Sequence, residues 1–457
     1  MGKFSTYRYL ELKDDKQTSH INIKRNVKQP RRLKKIFIFL IIVAICVTYL
    51  LGLFAGQTQW FDGLAKSLGY ESVYHHAVII DAGSSGSRVL AYKFRVPFTV
   101  FGQADLDLVE EIFAQSKPGL SSYADDPEKG AETIVELIKK ADSIVPAEKR
   151  HVTPLLVRAT AGLRLLPKEK AQQLINHVYT AISKLSYDIG SGGVEIMDGS
   201  DEGIFIWYTV NLLHKIIDGS TMAALDLGGG STQITYQVSE RDVASVPRGD
   251  LHTVPLADTN ITIYTHSYLN LGLLAARYGV FRMEAEDNTT TRFTSVCVDP
   301  IVQNETWTYA NKQYIISGAA RGALKPDAVY ARCHAAVKAY AKSVRDVEPP
   351  HAPKGAVAAM SYFYDVAADA GIIDVMKGGT VSVAQYRSNA LRACSASNVD
   401  QPWACIDLVY VVTLLQDHYK IQDNEFISLF KKVKGHEVSW ALGLAYTTVM
   451  NRITTMT

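Results

Sequence analysis

The stretch DAGSSGSR, Asp81–Arg88, decides the fold of this chain. It directly follows the apolar run Val78-Ile79-Ile80, and an alternating run resumes after it as far as Phe94. Short β-branched runs predict buried strands, so the stretch is expected to form the turn of a β-hairpin and not a strand-to-helix loop. Glycines allow close backbone approach, successive N–H groups form an anion nest, and a carboxylate at the strand end suits a hydrated Mg²⁺. The pattern therefore predicts a phosphate-binding loop.

A second copy of this pattern lies 145 residues further along the chain. The stretch DLGGGSTQ, Asp226–Gln233, follows the apolar run 222–225 and leads into an alternating run that ends at Val238. Two ordinary glycine-rich hairpin turns are the alternative, but each stretch has Asp at the same place and more Gly and Ser than a turn requires. The duplication predicts an α/β protein with two similar lobes that face each other across a cleft.

Length and charge limit the class of protein. The chain has 457 residues, 47% of them hydrophobic and 21% charged, which is enough for two large lobes with their own cores. The net charge of +2 is uneven, because residues 1–35 hold eleven Lys or Arg and three acidic residues. The rest of the chain therefore has 37 basic and 43 acidic residues. This slightly acidic balance argues against nucleic acid as the main ligand.

The N-terminal region predicts a single membrane anchor. Residues 1–35 are polar and basic and predict a cytosolic tail, and residues 36–56 are 21 residues without a charge, long enough to span a bilayer. A cleaved signal peptide and a buried core helix are the alternatives, but the first usually begins nearer the N-terminus and the second is rarely so uniformly apolar. Because the basic cluster precedes the span, the chain after residue 56 is expected outside the cytosol, beginning with a stem at 57–74.

The segment between the two loops carries further polar groups. A buried strand predicted at 154–157 leads to Thr160, a candidate wall of the phosphate site. Arg164 follows, and it is either a charge of that site or a surface residue at the start of a helix.

The sequence GSDEG at residues 199–203 opens an apolar helix that is expected over 204–217. A pair of carboxylates at this point suits capping of the helix. Hydrolysis between two phosphate loops also needs a base to activate water. Glu202 is the candidate for that base, and Asp201 is the better candidate for a capping residue.

The chain after residue 56 has four cysteines and three glycosylation sequons, and Cys46 lies within the predicted span. Four cysteines beyond an anchor predict two disulfides, with unpaired thiols as the alternative. Three connectivities are open, and the neighbour pairs Cys297–Cys333 and Cys394–Cys405 are favoured. Zinc binding is disfavoured because no Cys-x-x-Cys or close Cys/His spacing occurs. The predicted N-glycosylation sites are Asn260, Asn288 and Asn304.

Together these motifs resemble the signature regions of the nucleoside triphosphate diphosphohydrolases, or apyrases. The matching segments, in order, are 81–88, 159–164, 199–203 and 226–233, and residues 361–367 and 439–443 resemble a more variable fifth region. The resemblance covers about residues 75–457. It implies two ribonuclease-H-like lobes, of the superfamily that includes actin, sugar kinases and chaperone ATPases, with the active site between them. Lobe I is expected at 75–197, with 430–457 returning to it, and lobe II at 198–429.

The resemblance also implies roles for individual residues. It implies direct attack of water on the terminal phosphate, dependent on Ca²⁺ or Mg²⁺. Glu202 is expected as the general base, Ser231 and Gln233 as the groups that orient the water, and Asp81 and Asp226 as metal-binding groups that act through water. The expected phosphate-binding residues are Ser84, Ser85, Gly86, Ser87, Arg88, Thr160, Gly228, Gly229 and Gly230. Aromatic faces stack on bases, so Phe363, Tyr364 and Tyr410 are candidate base contacts, with core packing as the alternative.

Details within the family resemble its endoplasmic-reticulum and Golgi nucleoside diphosphatases. Gly86 stands where cell-surface enzymes often carry His, and the segments 117–123, 264–269, 362–365 and 405–417 are similar to that branch. The resemblance implies hydrolysis of UDP and GDP in the Golgi lumen, in support of glycosylation and nucleotide-sugar exchange, by a type II membrane glycoprotein. Endoplasmic reticulum, cell surface and secretion after stem cleavage are alternative locations. The alternative activities are an ecto-apyrase that cleaves extracellular tri- and diphosphates, and a nucleotide-binding module without turnover.

Overall fold

The computed structural model describes residues 31–54, 73–97, 106–216, 220–256, 259–287, 289–322, 325–345 and 347–456. The chain divides into two compact units, residues 1–70 and 71–457. In the first unit a 24-residue helix, α1, covers Arg31–Phe54. Across the described residues, no helix combines the length and the apolar character that crossing a bilayer requires. Most of the predicted cytosolic tail, the end of the predicted span and nearly all of the predicted stem lie outside the described residues.

The first sheet of the larger unit is built on the predicted DAGSSGSR hairpin. Its strands are β1 (Val73–Ala82), β2 (Ser87–Val96), β3 (Asp107–Ser116), β4 (Leu155–Ala159) and β5 (Val194–Ile196), in the order β3-β2-β1-β4-β5. β1, β2 and β3 are antiparallel neighbours, whereas β4 and β5 run parallel to β1. The helices that accompany this sheet are α2 (Pro127–Lys140), the one-turn helix α3 (Ala161–Arg164) and α4 (Lys168–Ile182). The amphipathic helices α2 and α4 bury their apolar stripes in the core of this sheet.

The second sheet repeats this arrangement and extends it. Its strands are β6 (Ala223–Leu227), β7 (Ser231–Gln237), β8 (Leu251–Leu256), β9 (Thr259–Leu269), β13 (Val357–Ser361), β14 (Gly379–Ser382) and β15 (Phe426–Leu429), in the order β14-β15-β13-β6-β7-β9-β8. The hairpin β6–β7 encloses the predicted second loop, β9 continues it antiparallel, and β13 and β15 run parallel to β6. The predicted mixed α/β architecture with a duplicated loop is therefore confirmed.

The remaining strands and helices complete the larger unit. The strands are β10 (Arg292–Ser295), β11 (Glu305–Tyr309) and β12 (Lys312–Gly318), which form a small sheet, and the ribbon β16 (Lys432–Val433) and β17 (His436–Glu437). The helices are α5 (Gly199–His214), α6 (Leu273–Met283), α7 (Pro326–Val344), α8 (Tyr362–Asp369), α9 (Val383–Ser395), α10 (Ala404–Thr413) and α11 (Trp440–Met456).

Helices α5 and α11 share one hydrophobic core with both large sheets. Trp207 on α5 is fully buried in this core together with side chains of β1, β2, β6 and β13. The Thr209 hydroxyl accepts a hydrogen bond from the N–H of Gly443 and donates one to the carbonyl of Ser439, both at 2.8 Å. These contacts fix α5 between the sheets, and its first turn carries Glu202.

Helix boundaries differ from the sequence predictions by a few residues. α5 begins at Gly199 and not at Ile204, because Asp198 is its N-cap and accepts a hydrogen bond from the N–H of Ser200 at 2.8 Å. The helix ends before Lys215, whose φ of 53° is left-handed. Asp198 therefore caps this helix, so the choice of Asp201 as the capping residue is corrected.

Both neighbour-pair disulfides are present in the structure. Cys297–Cys333 and Cys394–Cys405 have Cα–Cα distances of 4.8 and 4.6 Å, and Cys46 is unpaired. Among the predicted glycosylation sites, Asn260 and Asn304 are exposed, and Asn288 lies outside the described residues.

Candidate active site

The two glycine-rich loops lie close to each other inside the larger unit. Each loop follows a strand whose next-to-last residue is the aspartate, Asp81 in β1 and Asp226 in β6. The loops approach so closely that a Cβ at Gly229 would lie 2.8 Å from the Ser84 hydroxyl oxygen. A Cβ at this position would crowd the Ser84 hydroxyl, so glycine leaves room for the close approach of the two loops.

A cavity of about 380 Å³ lies where the loops face each other. Its polar walls come from both loops, from the segment after β4, from the start of α5 and from the segments that follow β13 and β15. Of the predicted site residues, those that line it are Asp81, Ser84, Ser85, Arg88, Thr160, Glu202, Asp226, Gly228, Gly229, Gly230, Ser231 and Tyr364.

Glu202 reaches this cavity because α5 packs very tightly against the second sheet. A Cβ at Gly203 would lie 2.4 Å from the hydroxyl oxygen of Thr265 on β9, so only glycine permits the approach. The neighbouring Asp201 is exposed, whereas Glu202 is only 8% exposed and turned towards the cavity. The first turn of α5 thus presents one carboxylate to the site and the other to solvent.

A hydrogen-bond network holds Glu202. Its Oε2 accepts a hydrogen bond from Arg164 Nη2 at 2.7 Å and one from Gln233 Nε2 at 3.1 Å. Gln233 Nε2 also lies 2.9 Å from the hydroxyl oxygens of Ser231 and Ser267. Arg164 reaches the same two hydroxyls at 3.4 and 3.5 Å. Glu202, Ser231 and Gln233 are therefore brought together, and Gln233, 1% exposed, lies behind the other two.

Burial dominates the electrostatics of the site. Desolvation, with smaller contributions from the carboxylates of Asp226 and Asp81, raises the pKa of Glu202 to about 8, although Arg164 acts to lower it. Burial also raises the pKa of Asp81, against the effect of Arg88, and it raises the pKa of Asp226. A positive charge in the cavity would stabilise the ionised forms of these three desolvated carboxyl groups.

The two aspartates fit a hydrated divalent cation. Oδ1 of Asp81 and Oδ1 of Asp226 are buried and accept no hydrogen bond from the residues that the structure describes. Within those residues, no cluster of three or more His, Cys, Asp or Glu side chains suits direct metal ligation. Mg²⁺ commonly keeps several waters and uses one or two carboxylates together with substrate phosphates. The donor set matches that mode of binding.

Some predicted phosphate contacts lie elsewhere. Gly86 and Ser87 are buried and do not line the cavity. Gly86 packs against Gln115, since a Cβ there would lie 2.6 Å from the Gln115 amide nitrogen. Arg88 lines the cavity but is ion-paired with Asp81 at 3.0 Å.

Of the three candidate base contacts, one lines the cavity and two lie in the core. Tyr364 lines the cavity, although its hydroxyl donates to the carbonyl of Val375 at 2.8 Å. Phe363 is fully buried in the core of the second sheet. Tyr410 is 2% exposed and its hydroxyl donates to the carbonyl of Leu271. Phe363 and Tyr410 are therefore corrected to core residues, because each lies on the inner face of its helix.

Other residues of the site are not predicted from the sequence. Ser267 joins the Glu202 network from β9, and its position opposite Gln233 in the strand register brings it there. Lys117 and Gln115 line the cavity from the end of β3, and Lys431 lines it from the segment after β15. The pairing of Arg164 with Glu202 settles the choice between a site charge and a surface residue in favour of the site.

Comparisons with known proteins agree with this geometry. Residues 69–455 match the model of the GDA1/CD39 (nucleoside phosphatase) family. The chain is 34% identical over 425 residues to human "Nucleoside diphosphate phosphatase ENTPD5", covering 90% of this chain and 96% of that protein. It is 32% identical to Caenorhabditis elegans "Nucleoside-diphosphatase uda-1", with 89% of each chain covered.

Among solved structures, a nucleoside triphosphate hydrolase structure from Neospora caninum superposes with a TM-score of 0.57 at 14% identity, covering 88% of this chain and 96% of the other. That likeness concerns the fold alone. The family match spans both loops, the Glu202 turn and the C-terminal helix. This chain therefore belongs to the GDA1/CD39 (nucleoside phosphatase) family.

Proposed function

We propose that this protein hydrolyses the terminal phosphate of nucleoside diphosphates, chiefly UDP and GDP, to give monophosphates. The observation that carries the proposal is the buried Glu202 carboxylate, held by Arg164 and Gln233 at a cavity between two Asp-Gly/Ser loops. The names of the human and nematode relatives, both nucleoside diphosphatases, support diphosphates as the substrate class.

In this mechanism Glu202 takes a proton from the attacking water as general base. The Ser231 hydroxyl holds that water in line with the scissile bond, and the Gln233 amide orients the water through Ser231 and Glu202, since its Nε2 lies 2.9 Å from the Ser231 hydroxyl oxygen and 3.1 Å from Glu202 Oε2. Arg164 is a positioning residue, because it fixes the Glu202 carboxylate and keeps part of it ionised.

The phosphates are bound by Ser84, Ser85, Thr160 and backbone N–H groups of residues 228–230. Asp81 and Asp226 would hold Ca²⁺ or Mg²⁺ through water, and that ion supplies charge neutralisation of the phosphate oxygens. The buried, unpartnered Oδ1 atoms of the two aspartates support this assignment.

We also propose the topology and location that the sequence predicts. Residues 36–56 anchor the chain, the N-terminal tail is cytosolic, and the catalytic part lies in the Golgi lumen. The basic cluster before the apolar run, two disulfides and exposed sequon asparagines support a luminal location. The fold is assigned as ribonuclease-H-like, with lobe I at 75–197 and 430–457 and lobe II at 198–429. The shared order of strands in the two sheets supports that division.

Phosphate release from UDP, GDP, ADP and ATP tests the activity. The purified protein is assayed with Ca²⁺, with Mg²⁺ and with a chelator. We expect strong, metal-dependent turnover of UDP and GDP and weak use of ATP. ATP cleavage equal to that of UDP would identify a triphosphate-cleaving apyrase, and a folded protein without turnover would identify a nucleotide-binding module.

The pH dependence of kcat/KM tests the role of Arg164. Arg164 lowers the pKa of Glu202, so the Arg164→Ala variant has a higher Glu202 pKa. A general base must be deprotonated, so activity rises with pH through that pKa. We expect the ascending limb of the profile to move to higher pH in the variant, with a larger loss of activity at pH 7 than at pH 9.

The conservative variant Arg164→Lys serves as the control for this experiment. Lysine keeps the positive charge but has no guanidinium to bridge Glu202 and Ser231. We expect a smaller shift of the ascending limb than for Arg164→Ala. An unchanged limb in both variants, with activity lowered equally at every pH, would show that Arg164 acts only by packing.

A further inference from the structure

One side of the cavity carries two opposite charges that lack partners. Asp365 lies in α8 and Lys431 follows β15, and both are exposed to the cavity that they line. Within the described residues, neither side chain has a hydrogen bond or an ion pair, and the two form none with each other. Both groups are therefore available to a ligand that lies between them.

The strand order places this pair on segments that follow β13 and β15, on the other side of β6 from the Glu202 network. β13 runs parallel beside β6, with Met360 opposite Asp226, and β15 lies one strand further out. Two strand spacings separate β15 from β6 by about 10 Å. The Asp365 helix begins directly after β13, and Lys431 lies two residues beyond the end of β15. Asp365 and Lys431 line the same cavity as Asp226 and Glu202, so a nucleoside diphosphate bound there with its terminal phosphate beside Asp226 can place its base beside this pair.

The electrostatic environment of the pair favours a polar ligand. Burial raises the pKa of Asp365, and Lys431 acts against that rise. Arg88 also lowers the pKa of Asp365, but its guanidinium is engaged by Asp81. Lys431 likewise lowers the pKa of Glu437, which burial raises. A partly desolvated carboxylate without a donor gains most from a ligand N–H, because hydrogen bonds to charged groups are the stronger ones.

Nucleobases differ in the pattern that they present to such a pair. Uracil and guanine both place a ring N–H donor beside a carbonyl acceptor, whereas cytosine and adenine place a ring nitrogen acceptor beside an amino donor. A carboxylate only accepts hydrogen bonds and an ammonium only donates them. The pair therefore matches uracil and guanine and opposes cytosine and adenine.

We propose that Asp365 and Lys431 select the base of the substrate, with Asp365 accepting the ring N–H and Lys431 donating to the adjacent carbonyl of uracil or guanine. The inference rests on the proposed function, and it gives that function a physical basis for a preference for UDP and GDP. The flat side chains that line the same side, Tyr362, Tyr364, Phe430 and Trp440, supply apolar surface for the ring but do not distinguish these bases.

The test is kcat/KM for UDP, GDP, CDP and ADP with the purified full chain and its Asp365→Ala and Lys431→Met variants. We expect each variant to lose about tenfold to a hundredfold with UDP and GDP and little with CDP and ADP. N3-methyl-UDP lacks the ring N–H, so the wild-type protein should use it as poorly as Asp365→Ala uses UDP. Asp365→Asn keeps the volume of the side chain. This variant is expected to lower the ratio of kcat/KM for UDP to kcat/KM for CDP.

Matched controls lie on the same segments. Asp369→Ala on α8 and Lys434→Met, three residues beyond Lys431, change charges that do not line the cavity, and they should leave the ratio of UDP to CDP use unchanged. An equal loss with all four nucleotides, or a wild-type protein without base preference, would overturn the proposal while leaving the diphosphatase activity intact.

The activity itself can fail separately. A folded wild-type protein that releases phosphate from none of the four nucleotides would refute the proposed function. Calorimetric binding of UDP and CDP to Glu202→Gln still tests base selection in that case. Equal affinity for UDP and CDP would then overturn the inference.

Discussion

Phosphate release from UDP is expected to fall by about a hundredfold to ten-thousandfold in the Glu202→Gln variant, because that is the usual contribution of a general base. Glutamine has the volume of glutamate, and its amide oxygen can accept the hydrogen bond that Arg164 now donates at 2.7 Å. The amide cannot accept a proton from water near neutral pH. The loss should therefore appear in kcat, with KM for UDP little changed, as measured by continuous phosphate release.

The adjacent carboxylate provides a matched control for this prediction. Asp201 lies on the same turn of α5 but is exposed and does not line the cavity. Asp201→Asn removes the same charge one residue away, and near wild-type kcat is expected. A Glu202→Gln enzyme that keeps the wild-type kcat would assign the base to another group.

The features that the sequence predicts well are local. Each Asp-Gly/Ser loop joins two adjacent strands, so the pattern of residues defines the hairpin, the turn and the aspartate at the strand end. Repetition of the pattern predicts two matching sheets, since the same local rule operates twice. The family could be predicted because its signature segments are also short and contiguous. The match over residues 69–455 confirms that prediction.

The features that the sequence predicts poorly depend on distant contacts. Arg164 and Glu202 are 38 residues apart, and only the packing of α5 between the sheets brings them together. Ser267 reaches Gln233 through the pairing of β7 with β9. Phe363 and Tyr410 show the opposite error, because an aromatic side chain near a motif faces either the cavity or the core, and helix rotation decides which.

Arg277→Met is expected to lower the free energy of unfolding by about 3–5 kcal/mol, because it leaves a buried carboxylate unpaired. Arg277 on α6 is 7% exposed and binds Asp407 through two hydrogen bonds, Nη2 to Oδ2 at 2.6 Å and Nε to Oδ1 at 3.1 Å. Its guanidinium also lies 5.4 Å from the ring of Trp307 and 5.3 Å from that of Trp403. Urea unfolding measures this loss of stability. Arg282→Met on the same helix breaks no ion pair with a carboxylate, so it should lower the free energy of unfolding by less than Arg277→Met does.

The pH dependence and a double variant separate the lost ion pair from lost packing. Burial raises the pKa of Asp407 although Arg277 lowers it, so removing Arg277 raises that pKa further. A carboxyl group with a raised pKa in the folded state is tolerated when protonated and becomes costly as pH rises. The stability gap between Arg277→Met and the wild type should therefore widen from acid to neutral pH.

Adding Asp407→Leu to Arg277→Met should recover much of the lost stability and remove this pH dependence, because a matched apolar pair has no charge to desolvate. A gap that is independent of pH, and a double variant less stable than Arg277→Met, would instead assign the effect to the cation–π contacts of Arg277 with Trp307 and Trp403.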